Sequence, residues 1–290
     1  MTLLKAVYSK IEKLLEQSEG IINPGKRLAP CIIILQPGKV GSITVEESLK
    51  EAYRKLNVPA TIHRAHALNF LDERENFIKK TRKKTSENIA AIAAWRRIRQ
   101  NIDRHPEKNL KIINLVRDPV ALKVSALFQI MENYIPDWTK RLKAGNLRMA
   151  DLDDLFYTKK EFGFSGLERW HDQQIKALWG IDVYASAFPT ENGYQFYQSR
   201  NVDLLLIRLE DLNKVSKQVF NQFLGLEEFE IISTNIGTQK PYAELYKEFK
   251  KRPLHEDFIN QAYATRFARH FYAPQEIERF RRAWLHPEAK

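Results

Sequence analysis

Three apolar runs, each passing directly into a helical pattern, limit what this chain can fold into. They are Cys31–Leu35, Leu110–Val116 and Val202–Ile207. Each is nearly continuous in Ile, Leu and Val, which marks a strand buried on both faces. A helical spacing of Val45, Leu49, Ala52 and Tyr53 follows the first. After the second, Asp118 suits an N-cap and Pro119 the first helical position. The third leads into a helix through Leu224, and Pro59–His66 reads as another strand. Strand and helix in alternation argue for a parallel sheet. The expected fold class is α/β, three layers about a central parallel sheet, with a helical C-terminal part.

The remaining chain reads as helix and loop around that frame. Residues 1–30 are expected to form an N-terminal helical extension, amphipathic through Leu3, Leu4, Val7, Ile11, Leu14 and Leu15. Leu68–Lys84 is expected to be helical and basic, and Ser86 caps a helix with Ile89, Ile92, Trp95, Ile98 and Ile102 on one face. From Ile130 to Trp179 the pattern is helical and irregular. Asp151, Asp153 and Asp154 mark a helix start rather than a metal site, since no His or Cys joins them at ligand spacing. Tyr194–Gln198 is a short strand candidate. Residues 225–290 make a helical cap whose aromatic spacing suits packing. With no repeat, low-complexity tract or linker, residues 1–290 are expected to form a single domain.

Composition narrows the setting. One cysteine, Cys31, rules out an intramolecular disulfide and a multi-cysteine metal site. No apolar run is long enough to span a bilayer, and the first residues lack the apolar core of a signal peptide. The expectation is a soluble, cytoplasmic protein. A net charge of +11 favours an anionic partner, whether nucleotide, acidic glycan, nucleic acid or membrane surface. The densest basic run, Lys79–Lys84, reads as a solvated surface.

The first strand-to-helix turn carries the clearest chemistry. Gln36-Pro-Gly-Lys-Val-Gly-Ser-Ile-Thr puts two glycines and a lysine between a strand end and a helix N-terminus. Backbone N–H groups and a helix N-terminus aimed at one point suit a phosphate or sulfate. Gly38 and Gly41 let that backbone approach an anion, and Lys39 adds a full charge. Arg117 ends the next apolar run, with Ser125 two turns into the helix beyond. That is the sheet edge where α/β folds bind ligands.

These stretches together resemble sulfotransferases that use 3′-phosphoadenosine 5′-phosphosulfate (PAPS). Pro37-Gly-Lys-Val-Gly-Ser resembles the family's phosphosulfate loop. Arg117-Asp-Pro with Ser125 matches its pair for the 3′-phosphate, and Leu204-Leu-Leu-Ile-Arg-Leu-Glu-Asp-Leu looks like a segment that is chiefly structural there. A narrower likeness, through Asn260, Tyr263, His270 and Trp284, is to bacterial capsular polysaccharide synthesis proteins of sulfotransferase-like type. The resemblance implies a P-loop-like loop of Gly38, Lys39, Val40, Gly41, Ser42, Ile43 and Thr44 holding PAPS as cosubstrate. It implies Arg117 and Ser125 on the 3′-phosphate, no metal, and a hydroxyl acceptor, carbohydrate or small alcohol. Lys240 is a further cation able to reach the nucleotide from the tail.

Sulfonate transfer needs charge stabilisation and a base. Lys39 is placed for the first, and His66, then His63, for the second, at the end of the second strand. A carboxylate from the middle helices stays open as an alternative base. Two other functions remain in play. A P-loop phosphotransferase shares the fold class but places its lysine directly before Ser or Thr. A non-enzymatic binder of anionic polymer accounts for the charge, yet leaves Arg117 and Ser125 unused, and no nucleic-acid motif is present.

Overall fold

The computed structural model of the protein describes residues 31–68, 110–199, 202–232 and 241–289. The N-terminal extension, the basic run Lys79–Lys84, the expected helices of residues 69–109 and Lys240 lie outside the described residues.

Among the described residues five strands form one sheet: β1 Cys31–Leu35, β2 Thr61–Ala65, β3 Leu110–Val116, β4 Tyr194–Ser199 and β5 Val202–Arg208, in the order β2-β1-β3-β5-β4. Pairing is parallel for β1 with β2, β1 with β3, and β3 with β5. Ile32, Ile33, Ile34 and Leu35 are all fully buried, as are Leu204 through Ile207. Successive strand residues point to opposite faces, so both faces of the sheet are covered. The apolar runs follow from that cover.

One expectation needs correction: the sheet is not wholly parallel. β4 runs antiparallel to β5, pairing Tyr194 with Ile207 and Ser199 with Val202. Only residues 200 and 201 separate the two strands. A parallel crossover needs a dozen residues or more, whereas a short link permits only an antiparallel return. β4 is also the aromatic, half-buried edge, whereas every residue of β5 but Asp203 is buried.

The helices are α1 Ser42–Lys55, α2 Pro119–Ile130, α3 Trp138–Lys143, α4 Met149–Thr158 and α5 Ser165–His171. After β5 come α6 Leu212–Leu224, α7 Ala243–Lys250, α8 Glu256–Ala264, α9 Arg266–Phe271 and α10 Pro274–Leu285. α5 continues through a π turn, Asp172–Lys176, into Ala177–Trp179, closed by Gly180 at φ 70°.

One core cluster joins the strands to α1, α6, α9 and the end of α5. A second gathers α2, α4, α7 and α8, where Phe128 meets Tyr246 edge-on at 5.1 Å and Phe249 at 5.6 Å. The tail's aromatic residues are therefore packing residues, and they bring α7 onto α2. In α4, Asp151 accepts from the Arg148 N–H and Asp153 pairs with Arg252 through two hydrogen bonds, so these carboxylates are structural.

Candidate functional site

β1 and β3 are parallel neighbours, so their carboxyl ends open at one edge of the sheet. From β1 the chain leaves through Gln36, whose N–H donates to the Ala65 carbonyl at 3.2 Å, level with the end of β2. The loop then turns through two residues of positive φ, Lys39 at 71° and Gly41 at 83°. For a lysine this conformation costs about 1 kcal/mol or more and needs support. Gly41 has a second reason to be glycine: a Cβ there would lie 2.6 Å from Leu209 Cδ1. The stretch after β5 thus presses directly on the loop.

α1 begins at Ser42 with Gly41 as N-cap. Among the described residues no side chain caps it, and no acidic residue occupies its first turn. Four N–H groups at a helix start have no intrahelical partner, and the dipole makes that end positive. Ser42 is buried and Thr44 half-buried, while Ile43 is exposed. Lys39 is half-buried beside them.

Arg117 follows β3 immediately, and its Nη1 donates to the Lys39 carbonyl at 3.0 Å. Two stretches 78 residues apart are joined by this one bond. Ser125 lies two turns into α2, half-buried. Among the described residues it makes no hydrogen bond with Arg117. A further cation, missed in the sequence, stands nearby. Burial and the charge of Arg117 lower the pKa of Lys250, on α7. Its Nζ lies 5.4 Å from the Tyr246 ring centre. The signal available was Tyr246 and Lys250, four apart on one helix face.

The two histidines part company. His63 sits in the middle of β2, in register with Ile33, rather than at the strand's end. His66 lies just past β2, open to solvent on one side. Its Nδ1 is 3.3 Å from the Gln36 carbonyl oxygen and 3.2 Å from Gln36 Nε2. Crowding by the protein lowers its pKa first, with the charges of Arg64 and Lys39 adding to the effect. The end of α5 and the π turn hold the segment from behind: Trp170 Nε1 donates to the His66 carbonyl at 2.9 Å, and Gln174 Oε1 in the π turn accepts the Leu68 N–H at 2.7 Å. π turns recur at functional sites. Next to them, His171 Nε2 meets Asn114 Oδ1 at 3.0 Å while Asn114 Nδ2 donates to the Leu35 carbonyl.

Behind Arg117, Asp118 is buried and accepts four hydrogen bonds: Val120 N–H and Tyr263 O–H on Oδ1, Ala121 N–H and Trp284 Nε1–H on Oδ2. The Asp118 N–H donates to Glu210 Oε1, and Tyr272 O–H to Glu210 Oε2. Glu210, in the Leu209-Glu-Asp-Leu stretch, thereby ties the start of α2 to Tyr272 in the tail.

Residues 146–273 match a family model described as putative capsular polysaccharide synthesis protein (NKWYS). That stretch runs from the turn before α4 to the residue before α10. It holds Glu210 and Tyr263, and lies outside the Lys39 loop, His66, Arg117 and Ser125. No curated protein and no solved structure matches the chain.

Proposed function

We propose that the protein is a sulfotransferase that takes PAPS at the β1–β3 edge and sulfonates a hydroxyl of a carbohydrate acceptor. The observation that carries this reading is the bond from Arg117 to the Lys39 carbonyl. It places a lysine loop, an uncapped helix N-terminus and a guanidinium at one sheet edge. Two anion sites that close suit a nucleotide with phosphate at both ends of its ribose. The match to a capsular polysaccharide synthesis family favours a sugar-bearing acceptor.

The chemistry follows from these placements. The acceptor oxygen attacks sulfur, the bond from sulfur to the 5′-phosphate oxygen breaks, and adenosine 3′,5′-bisphosphate leaves. Lys39 and the α1 N–H groups, including those of Ser42, Ile43 and Thr44, stabilise charge gathering on the departing phosphate. Gly38, Val40 and Gly41 shape the backbone cradle. Arg117, Ser125 and Lys250 hold the 3′-phosphate, with Lys240 of the tail as another candidate. With its Nδ1 proton given to the Gln36 carbonyl, His66 presents Nε2 to take the acceptor proton. The charge the reaction demands is supplied by side chains, and no metal is assigned a role.

Calorimetry in EDTA with adenosine 3′,5′-bisphosphate tests the reading, beside ATP with Mg²⁺ and a nucleoside diphosphate sugar. Binding of the bisphosphate alone is expected. Arg117→Ala should weaken it by about 2–3 kcal/mol, the scale of a charge-assisted contact. Lys39→Ala should lower turnover about a hundredfold or more. Preference for ATP with Mg²⁺ or for the nucleotide sugar would overturn the assignment.

A further inference from the structure

Arg117 has a carboxylate for its sequence neighbour, yet it does not pair with it. Among the described residues its guanidinium bonds only to the Lys39 carbonyl. Next to a buried aspartate this requires explanation, because an ion pair with Asp118 would neutralise the charge on which anion binding depends.

The explanation lies in the acceptor count. An ionised carboxylate offers about four lone-pair sites. At Asp118 four donors occupy them, two on each oxygen, at 2.8 to 3.3 Å. Every donor is neutral. Val120 and Ala121 give peptide N–H groups from the first turn of α2. Tyr263 reaches in from α8, 145 residues away in sequence, and Trp284 from α10, 166 residues away. Peptide donors alone would leave one site open on each oxygen, and the adjacent guanidinium is the strongest donor available to fill it. The Asp118 N–H donates to Glu210, which fixes the backbone from which the carboxylate projects.

We propose that Tyr263 and Trp284 are positioning residues for anion recognition: by saturating Asp118 they keep Arg117 unneutralised and turned toward the Lys39 loop. The tail helices then act on the nucleotide without touching it. This rests on the assignment of Arg117 to the 3′-phosphate made above.

The test is the affinity ratio between adenosine 3′,5′-bisphosphate and adenosine 5′-monophosphate, read by calorimetry on the full chain. The ratio isolates the 3′-phosphate, so a general loss of stability leaves it unmoved. Tyr263→Phe deletes one hydroxyl and keeps the ring. Its freed site on Oδ1 should draw in Arg117 and cut the ratio about tenfold. Trp284→Phe should do the same through Oδ2. Asp118→Asn added to Tyr263→Phe removes the competing charge, and the ratio should recover while the folded protein is no more stable. A high wild-type ratio that both single variants retain overturns the positioning role alone, as does a loss that the double variant fails to reverse. A wild-type ratio near one overturns both this role and the assignment of Arg117 to the remote phosphate.

Discussion

Gly41 is under two constraints that a residue with a side chain cannot satisfy. Its φ of 83° disfavours any side chain, and the space a Cβ would need belongs to Leu209. Gly41→Ala should therefore cost about 1–3 kcal/mol in urea unfolding. Gly38→Ala, where an added Cβ meets nothing within 4 Å, should be near neutral. Equal losses for both would contradict the packing of Leu209 against the loop. At His66 the lowered pKa keeps the imidazole neutral further into acid than a free histidine. In its proposed role as general base it works only when unprotonated. The acid limb of the kcat profile should then have its midpoint below 6.5. His66→Ala should remove that limb and most of the turnover while leaving nucleotide binding close to normal. A midpoint above 6.5 would move the base to another group.

Elements are tied by buried polar pairs whose protonation is dictated by their partners. Asn114 gives its N–H to the Leu35 carbonyl, so its oxygen must accept from His171 Nε2–H. Nδ1 is left to accept the Tyr184 hydroxyl, 3.3 Å away. The neutral ring thereby links α5 to β3, and through Asn114 to β1. Burial, helped by the charges of His270 and Arg266, pushes the His171 pKa down to about 3. The unfolded chain takes up a proton near 6.5 that the folded chain refuses until that value. The contribution of His171 to stability is full above about pH 6.5 and falls by about 1.4 kcal/mol per unit below it. Urea unfolding at pH 7 and pH 5 should show this decline, reduced by about one proton in His171→Gln. An unchanged slope in the variant would show that other groups set the acid sensitivity.

Across the whole molecule, Arg208 joins the sheet to the C-terminal helices. It is 2% exposed at the end of β5. It donates to Asp211, to the Phe271 carbonyl and to Glu276, which in turn accepts the Ala273 N–H that opens α10. Breaking such a buried pair from one side strands the remaining charges. Arg208→Ala should cost about 3 kcal/mol or more, visible as a lowered Tm. If the C-terminal helices position Arg117 as argued, the same variant should also weaken nucleotide binding. A folded Arg208→Ala with wild-type Tm would show that α9 and α10 hold to the sheet without this hub.

Local chemistry made much of this protein legible in its sequence. Continuous apolar runs marked β1, β3 and β5 because both faces of the sheet are covered. Asp118 and Pro119 announced the start of α2, since capping needs only a short side chain and a fixed φ. The glycine and lysine spacing placed a turn between β1 and α1 for the same local reason. The antiparallel β4 was not legible as such, because half-buried aromatic residues at an edge carry no direction. Arg117 meeting Lys39, Trp170 and Gln174 holding the His66 segment, and Tyr263 and Trp284 filling Asp118 belong to the tertiary structure alone. Each joins residues from 78 to 166 positions apart. Contacts at that separation depend on how helices pack on the sheet, and no local pattern of residues encodes which donor will face which acceptor.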